Sequence, residues 1–208
     1  MSTPEFSPLC PDIRPVKYSL TLTPDLERFT FSGEEIVDIE ILEPCKSVLM
    51  NAIEINVQSA SIVFGDDDIL VASRIDYDES SEVVKFSFNR LLPLGFAKLF
   101  LQFTGEINDR LHGLYRSTYV TPEGEKRILA ATQFESTDAR RAFPCWDEPA
   151  RKATFETALI IPSYLKAVSN TPIANEESIG RGMKRVGFEE TPAMSTYLLA
   201  FVIGELEC

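Results

Sequence analysis

Apolar residues recur at every second position along most of this chain, and that period commits it to strands. Tyr18, Leu20 and Leu22 alternate with Ser19 and Thr21, and Val37, Ile39 and Ile41 alternate with Asp38 and Glu40. Ile53, Ile55 and Val57 flank Glu54 and Asn56. Val84, Phe86 and Phe88 flank Lys85 and Ser87, and Leu99, Leu101 and Phe103 continue the pattern. A period of two sends such residues to one face of a pleated strand and their polar neighbours to the other, as in half-buried antiparallel sheets. Further strands are predicted over Phe155 to Ile161, Lys166 to Ser169, Lys184 to Glu189 and Tyr197 to Ile203. The last is apolar almost without break and is expected to be buried on both faces. Gly65-Asp66-Asp67-Asp68, Pro93-Leu94-Gly95 and Pro122-Glu123-Gly124 supply turns. The expected class is all-β, with two or more antiparallel sheets packed face to face in a single domain over residues 1–208.

Charge and composition narrow the partners. A net charge of -12 repels phosphates and argues against nucleic acid. No apolar run approaches the roughly 20 residues needed to span a bilayer. Met1 to Pro11 carries Pro4, Glu5, Pro8 and Pro11 where a secretory signal has a basic and then an apolar stretch. The expectation is a cytoplasmic protein with no membrane partner. Cys10, Cys45, Cys145 and Cys208 show no C-x-x-C spacing, which suits neither a zinc ribbon nor a redox pair. The run Asp66-Asp67-Asp68 lacks the register of a calcium loop and reads as a solvated turn.

The stretch Thr132 to Pro149, TQFESTDARRAFPCWDEP, breaks the pattern by packing polar, charged, aromatic and cysteine residues together. An apolar run from Ile128 to Thr132 leads into it as a strand, so Gln133 and Glu135 should share one face while Phe134 takes the other. Ser136, Thr137 and Asp138 can each cap a short helical turn over Ala139 to Phe143, within a segment spanning 138–143, which Pro144 then stops. Arg140 and Arg141 are expected to pair with Asp138, Asp147 or Glu148 and so fix the loop. Cys145 has no glycine-rich oxyanion loop nearby and reads, with Trp146, as packing beneath the turn rather than as a nucleophile.

These residues resemble the amino-terminal domain of the gluzincin-type zinc aminopeptidases, the puromycin-sensitive aminopeptidase and aminopeptidase N family. The likeness extends, in order, to Arg14-Pro15-Val16-Lys17-Tyr18, to Leu111-His112-Gly113-Leu114-Tyr115-Arg116-Ser117 and to Thr121-Pro122-Glu123-Gly124-Glu125. It continues through Lys152-Ala153-Thr154-Phe155, Val168-Ser169-Asn170 and Thr191 to Phe201, and is weakest from Glu43 to Leu92. The resemblance implies a saddle-shaped sandwich covering one side of a catalytic domain. It also implies that Glu135 contacts the free amino group of a peptide substrate and that Gln133 lines the pocket for the first side chain.

The zinc motif of such enzymes, H-E-x-x-H on a helix with a further carboxylate, is absent, since the chain has one histidine, His112. His112 alone reads as a loop residue, and Tyr115 and Arg116 read as structural. Zinc is therefore expected in a catalytic domain that follows residue 208 and is the partner of this one. The chain by itself holds no catalytic residue and no metal ligand, and is expected to be inactive. The competing reading is a non-catalytic scaffold or interaction module that keeps the family's fold. A scaffold has no need of an amine-binding carboxylate beside a side-chain pocket, and the intact Gln133 and Glu135 weigh against it.

Overall fold

The computed structural model describes residues 9, 12–65 and 68–206. Cys10, Cys208, Asp66, Asp67 and the Met1 to Pro11 stretch other than Leu9, all singled out in the sequence, lie outside them. In chain order the strands are β1 (Ile13–Asp25), β2 (Thr30–Ile41), β3 (Cys45–Asn51), β4 (Ile55–Phe64), β5 (Asp68–Val71), β6 (Arg74–Asp78), β7 (Val83–Leu92) and β8 (Gly95–Glu106). There follow β9 (Gly113–Val120), β10 (Lys126–Gln133), β11 (Thr154–Pro162), β12 (Lys166–Ser169), β13 (Ile173–Gly180), β14 (Met183–Phe188) and β15 (Phe201–Gly204). Two 3-10 turns, Ala139–Arg141 and Thr196–Leu198, complete the regular structure among the described residues. No helix there is long and apolar enough to cross a membrane.

The strands form three sheets, none closed into a barrel. An eight-stranded sheet runs β13-β14-β11-β1-β2-β8-β4-β5, a four-stranded one β12-β15-β10-β9, and a three-stranded one β3-β7-β6. All pairs are antiparallel except β1 with β11, which run parallel from Lys17↔Thr154 to Leu22↔Leu159. The all-β class is thus the one observed, with a single parallel seam in the large sheet.

Period two explains the core. Leu20 and Leu22 of β1, Val37, Ile39 and Ile41 of β2, and Leu99, Leu101 and Phe103 of β8 are all buried, as are Val84 and Phe86 of β7. They belong to one hydrophobic cluster that draws side chains from all three sheets. Along the β2–β8 ladder, aromatic rings lie over glycines. Gly33 opposes Phe103 and Gly105 opposes Phe31, and a Cβ built on either glycine would fall within 2.4 Å of the facing ring. The two rings then meet edge to face at 6.5 Å.

Three expectations need correcting. The strand read from Ile53 begins only at Ile55, because Glu54 adopts φ +59 and the Ile53 amide bonds to the Arg140 carbonyl. The run from Tyr197 to Ile203 is not one strand. Local bonds from Leu198 to Ser195 and from Leu199 to Thr196 wind its first half into a 3-10 turn, and only Phe201 onward joins the sheet. The strand read as Lys184 to Glu189 ends at Phe188, since the Glu189 amide turns to the Pro172 carbonyl.

Candidate functional site

The polar motif sits where β10 leaves its sheet. This strand is paired along its whole length with β9, ending at Gln133↔Gly113, and with β15 through Ala130↔Ile203 and Ala131↔Val202. Phe134 turns inward and is buried, its ring edge-on to Phe143 at 6.1 Å and to Phe201 at 6.4 Å. Gln133 and Glu135 on either side of it are exposed, as alternation requires. Among the described residues no other group bonds to either side chain.

Glu135 lies just past the strand, in a turn that the Asp138 amide closes onto the Phe134 carbonyl at 2.9 Å. The capping role expected of Asp138 is not observed. Its side chain makes no cap bond to the 3-10 turn and instead accepts from Arg141 Nε at 2.8 Å. The turn itself extends by one bond, from the Phe143 amide to the Ala139 carbonyl, before Pro144.

Both arginines are engaged away from Glu135. Arg140 is buried, with Nε 3.0 Å from Asp147 Oδ2, Nη1 2.9 Å from Glu82 and Nη2 donating to the Asp147 carbonyl. Burial works against its charge, but these two carboxylates outweigh that and keep the guanidinium charged. Arg141 bridges Asp138 and Glu54, the latter at 3.0 Å, and Glu54 also takes a bond from Arg110. Desolvation alone would raise the Glu54 carboxyl, yet the hydrogen bond from Arg110 and the charges of Arg110 and Arg141 hold it below its ordinary value. Asp138 and Asp147 were legible as partners. Glu54 and Glu82 were not, since nothing in a sequence marks ion-pair partners so distant along the chain.

The rest of the motif is a locked interior. The Trp146 amide donates to the Tyr18 hydroxyl at 3.1 Å, the Asp147 amide to Asn51 Oδ1 at 3.1 Å, and the Thr196 hydroxyl to Asp147 Oδ1 at 2.6 Å. Cys145 bridges Asn51 through both backbone groups and is fully buried, and burial pushes its thiol well above the ordinary value. Such a thiol is inert, in line with packing beneath the turn. Arg116 lies over the Phe29 ring and bonds to the Ile107 carbonyl and Asp109, a structural role.

The described residues do not fit a zinc site. No three His, Cys, Asp or Glu side chains among them gather closely enough to hold a metal, and His112 places Nδ1 3.6 Å from Asp138.

Comparison with known proteins identifies the family. The family described as the Peptidase M1 N-terminal domain matches residues 14–198. Aminopeptidase M1 of Arabidopsis thaliana is 44% identical over 193 residues, covering 91% of this chain and 22% of that protein. Puromycin-sensitive aminopeptidase of Caenorhabditis elegans is 37% identical, with 93% and 20% covered, and aminopeptidase N of Acetobacter pasteurianus is 35% identical, with 93% and 53% covered. The chain thus spans between about a fifth and about half of the length of these relatives. On a match that runs from β1 into the second 3-10 turn, the chain belongs to the Peptidase M1 N-terminal domain family.

Proposed function

We propose that this chain is the substrate-recognising N-terminal domain of a zinc aminopeptidase that removes the first residue from peptides. Glu135 holds the substrate's α-ammonium and Gln133 lines the pocket for its first side chain. The observation that carries the reading is that both side chains are exposed and, among the described residues, unengaged, while Arg140 and Arg141 beside them are taken up by other carboxylates. A surface Glu that served only the fold would be expected to pair with one of those cations.

A carboxylate facing a free ammonium discriminates against an acylated or internal peptide. Its charge-assisted bond contributes roughly 1.5 to 3 kcal/mol, which is about tenfold to a hundredfold in rate or affinity. The hydrolytic step, and the zinc that supports it in this reading, are assigned to a catalytic domain elsewhere in the full-length protein. That domain is then this one's partner, and the chain alone is inactive.

The test uses full-length protein with Glu135→Ala and Glu135→Gln, assayed on free-amine peptides. Both variants should lose kcat/KM by about tenfold to a hundredfold, Gln less than Ala because it keeps an acceptor oxygen. Unchanged kcat/KM in both would refute the role of Glu135.

A further inference from the structure

Glu135 is carried on a turn that is pinned at both ends. At its start the Phe134 ring is clamped between Phe143 and Phe201. At its end Asp138 is held by Arg141, and from there a chain of alternating charges, Asp138, Arg141, Glu54 and Arg110, runs to the entrance of β4 and the loop before β9. Each link is itself fixed. The Ile53 amide bonds to the Arg140 carbonyl at 3.0 Å, which ties the backbone beside Glu54 to the backbone beside Arg141. The Arg110 amide bonds to Asn108 Oδ1 at 2.8 Å. Gly113, the register partner of Gln133, lies against the Arg141 stem so closely that a Cβ there would come within 2.8 Å.

The backbone is unusual at the same place. Glu54 has φ +59 and Leu111 φ +62, both left-handed conformations in residues with a β-carbon. Such conformations cost free energy and persist where the surroundings over-determine them, commonly around functional groups. An ion pair serving stability alone would gain little here, because the Glu54 side chain is 42% exposed. The arrangement is better explained by the placement it gives its neighbour.

We propose that Arg141 and Glu54 are positioning residues, which fix the turn at Asp138 and thereby hold the Glu135 carboxylate where an α-ammonium docks. The inference rests on the subsite reading above. A charge-assisted bond needs its partners at about 2.7 to 2.9 Å, and a misplacement on the order of 1 Å can cost about a hundredfold.

The test is a double-mutant cycle on full-length enzyme, with kcat and KM for a free-amine peptide and thermal stability measured on every variant. Arg141→Met should lower kcat/KM by about tenfold to a hundredfold when Glu135 is present and by less than about twofold in a Glu135→Ala background. Arg141→Lys should recover part of the loss, since it keeps the charge without the fork that reaches two carboxylates. Glu54→Gln, at a half-exposed site where folding is not at risk, should show the same dependence on Glu135 with a smaller loss. Equal losses in both backgrounds, or full activity in Arg141→Met and Glu54→Gln while Glu135→Ala is impaired, would overturn the positioning role and leave the subsite standing. A fully active Glu135→Ala enzyme overturns the subsite reading itself, and the positioning role with it.

Discussion

Glu35 offers a sharp test of the packing. It lies in the middle of β2, between Leu20 of β1 and Leu101 of β8, with 1% of its surface exposed. Both carboxyl oxygens are buried, and among the described residues neither has a hydrogen-bond partner. Burial therefore pushes its pKa well above the ordinary value of 4.5, and the folded chain keeps the proton that the unfolded chain releases. The sign follows from the proton count. Below the unfolded value both states are protonated and Glu35 adds no pH dependence. As pH rises above it the folded state binds more protons than the unfolded one, and stability falls by about 1.4 kcal/mol per pH unit until the folded pKa is passed. Glu35→Met removes that loss while filling similar space. Urea unfolding of parent and variant, stepped upward from about pH 4.5, should show the variant's advantage in unfolding free energy widening at roughly that slope. Using the difference between the two proteins cancels every other titrating group. Two profiles that run parallel across this range would refute the account of Glu35 as a buried neutral acid.

Gly33→Ala should destabilise the chain by about 1 to 3 kcal/mol in denaturant unfolding, since its Cβ would lie 2.3 Å from the Phe103 ring and the strand offers no room to yield. Gly105→Ala, facing Phe31 at 2.4 Å, should behave alike. Arg140→Met leaves Asp147, 1% exposed, buried without its cation, and should cost about 3 to 5 kcal/mol in the same assay. Cys145 should resist a thiol reagent in the folded chain and react once urea unfolds it, as peptide mapping of the labelled thiols would show.

Where one face of a strand is buried, alternation gave the element away. Tyr18-Leu20-Leu22, Val37-Ile39-Ile41 and Leu99-Leu101-Phe103 all became central strands, and the same rule put Gln133 and Glu135 outward with Phe134 inward. Elements without a buried face left no such trace. β13 lies at the edge of the large sheet and is exposed at every residue, so Ile173 to Gly180 carries no period to read. Strand direction is equally invisible to periodicity, because parallel and antiparallel neighbours bury the same alternate residues, and the β1–β11 seam went unforeseen. In the candidate site the local partners of Arg140 and Arg141 were legible from proximity. Glu54 and Glu82 came into place only through tertiary folding of the stretch between β3 and β7.

The parallel seam dictates an order of assembly. β2 meets β1 through a hairpin, but β11 can join β1 only after β2 to β10 have been made, so that the whole three-stranded sheet and the β9–β10 hairpin lie between the two partners in sequence. Closing so long a loop is entropically slow, and a chain emerging from synthesis must wait for Thr154 to Leu159 before that edge of β1 is covered. Until then Lys17 to Leu22 presents an unpaired row of amides and carbonyls, open to any passing strand. Truncation before β11 would make that transient edge permanent, so shortened forms of this domain should aggregate rather than fold to a smaller native state.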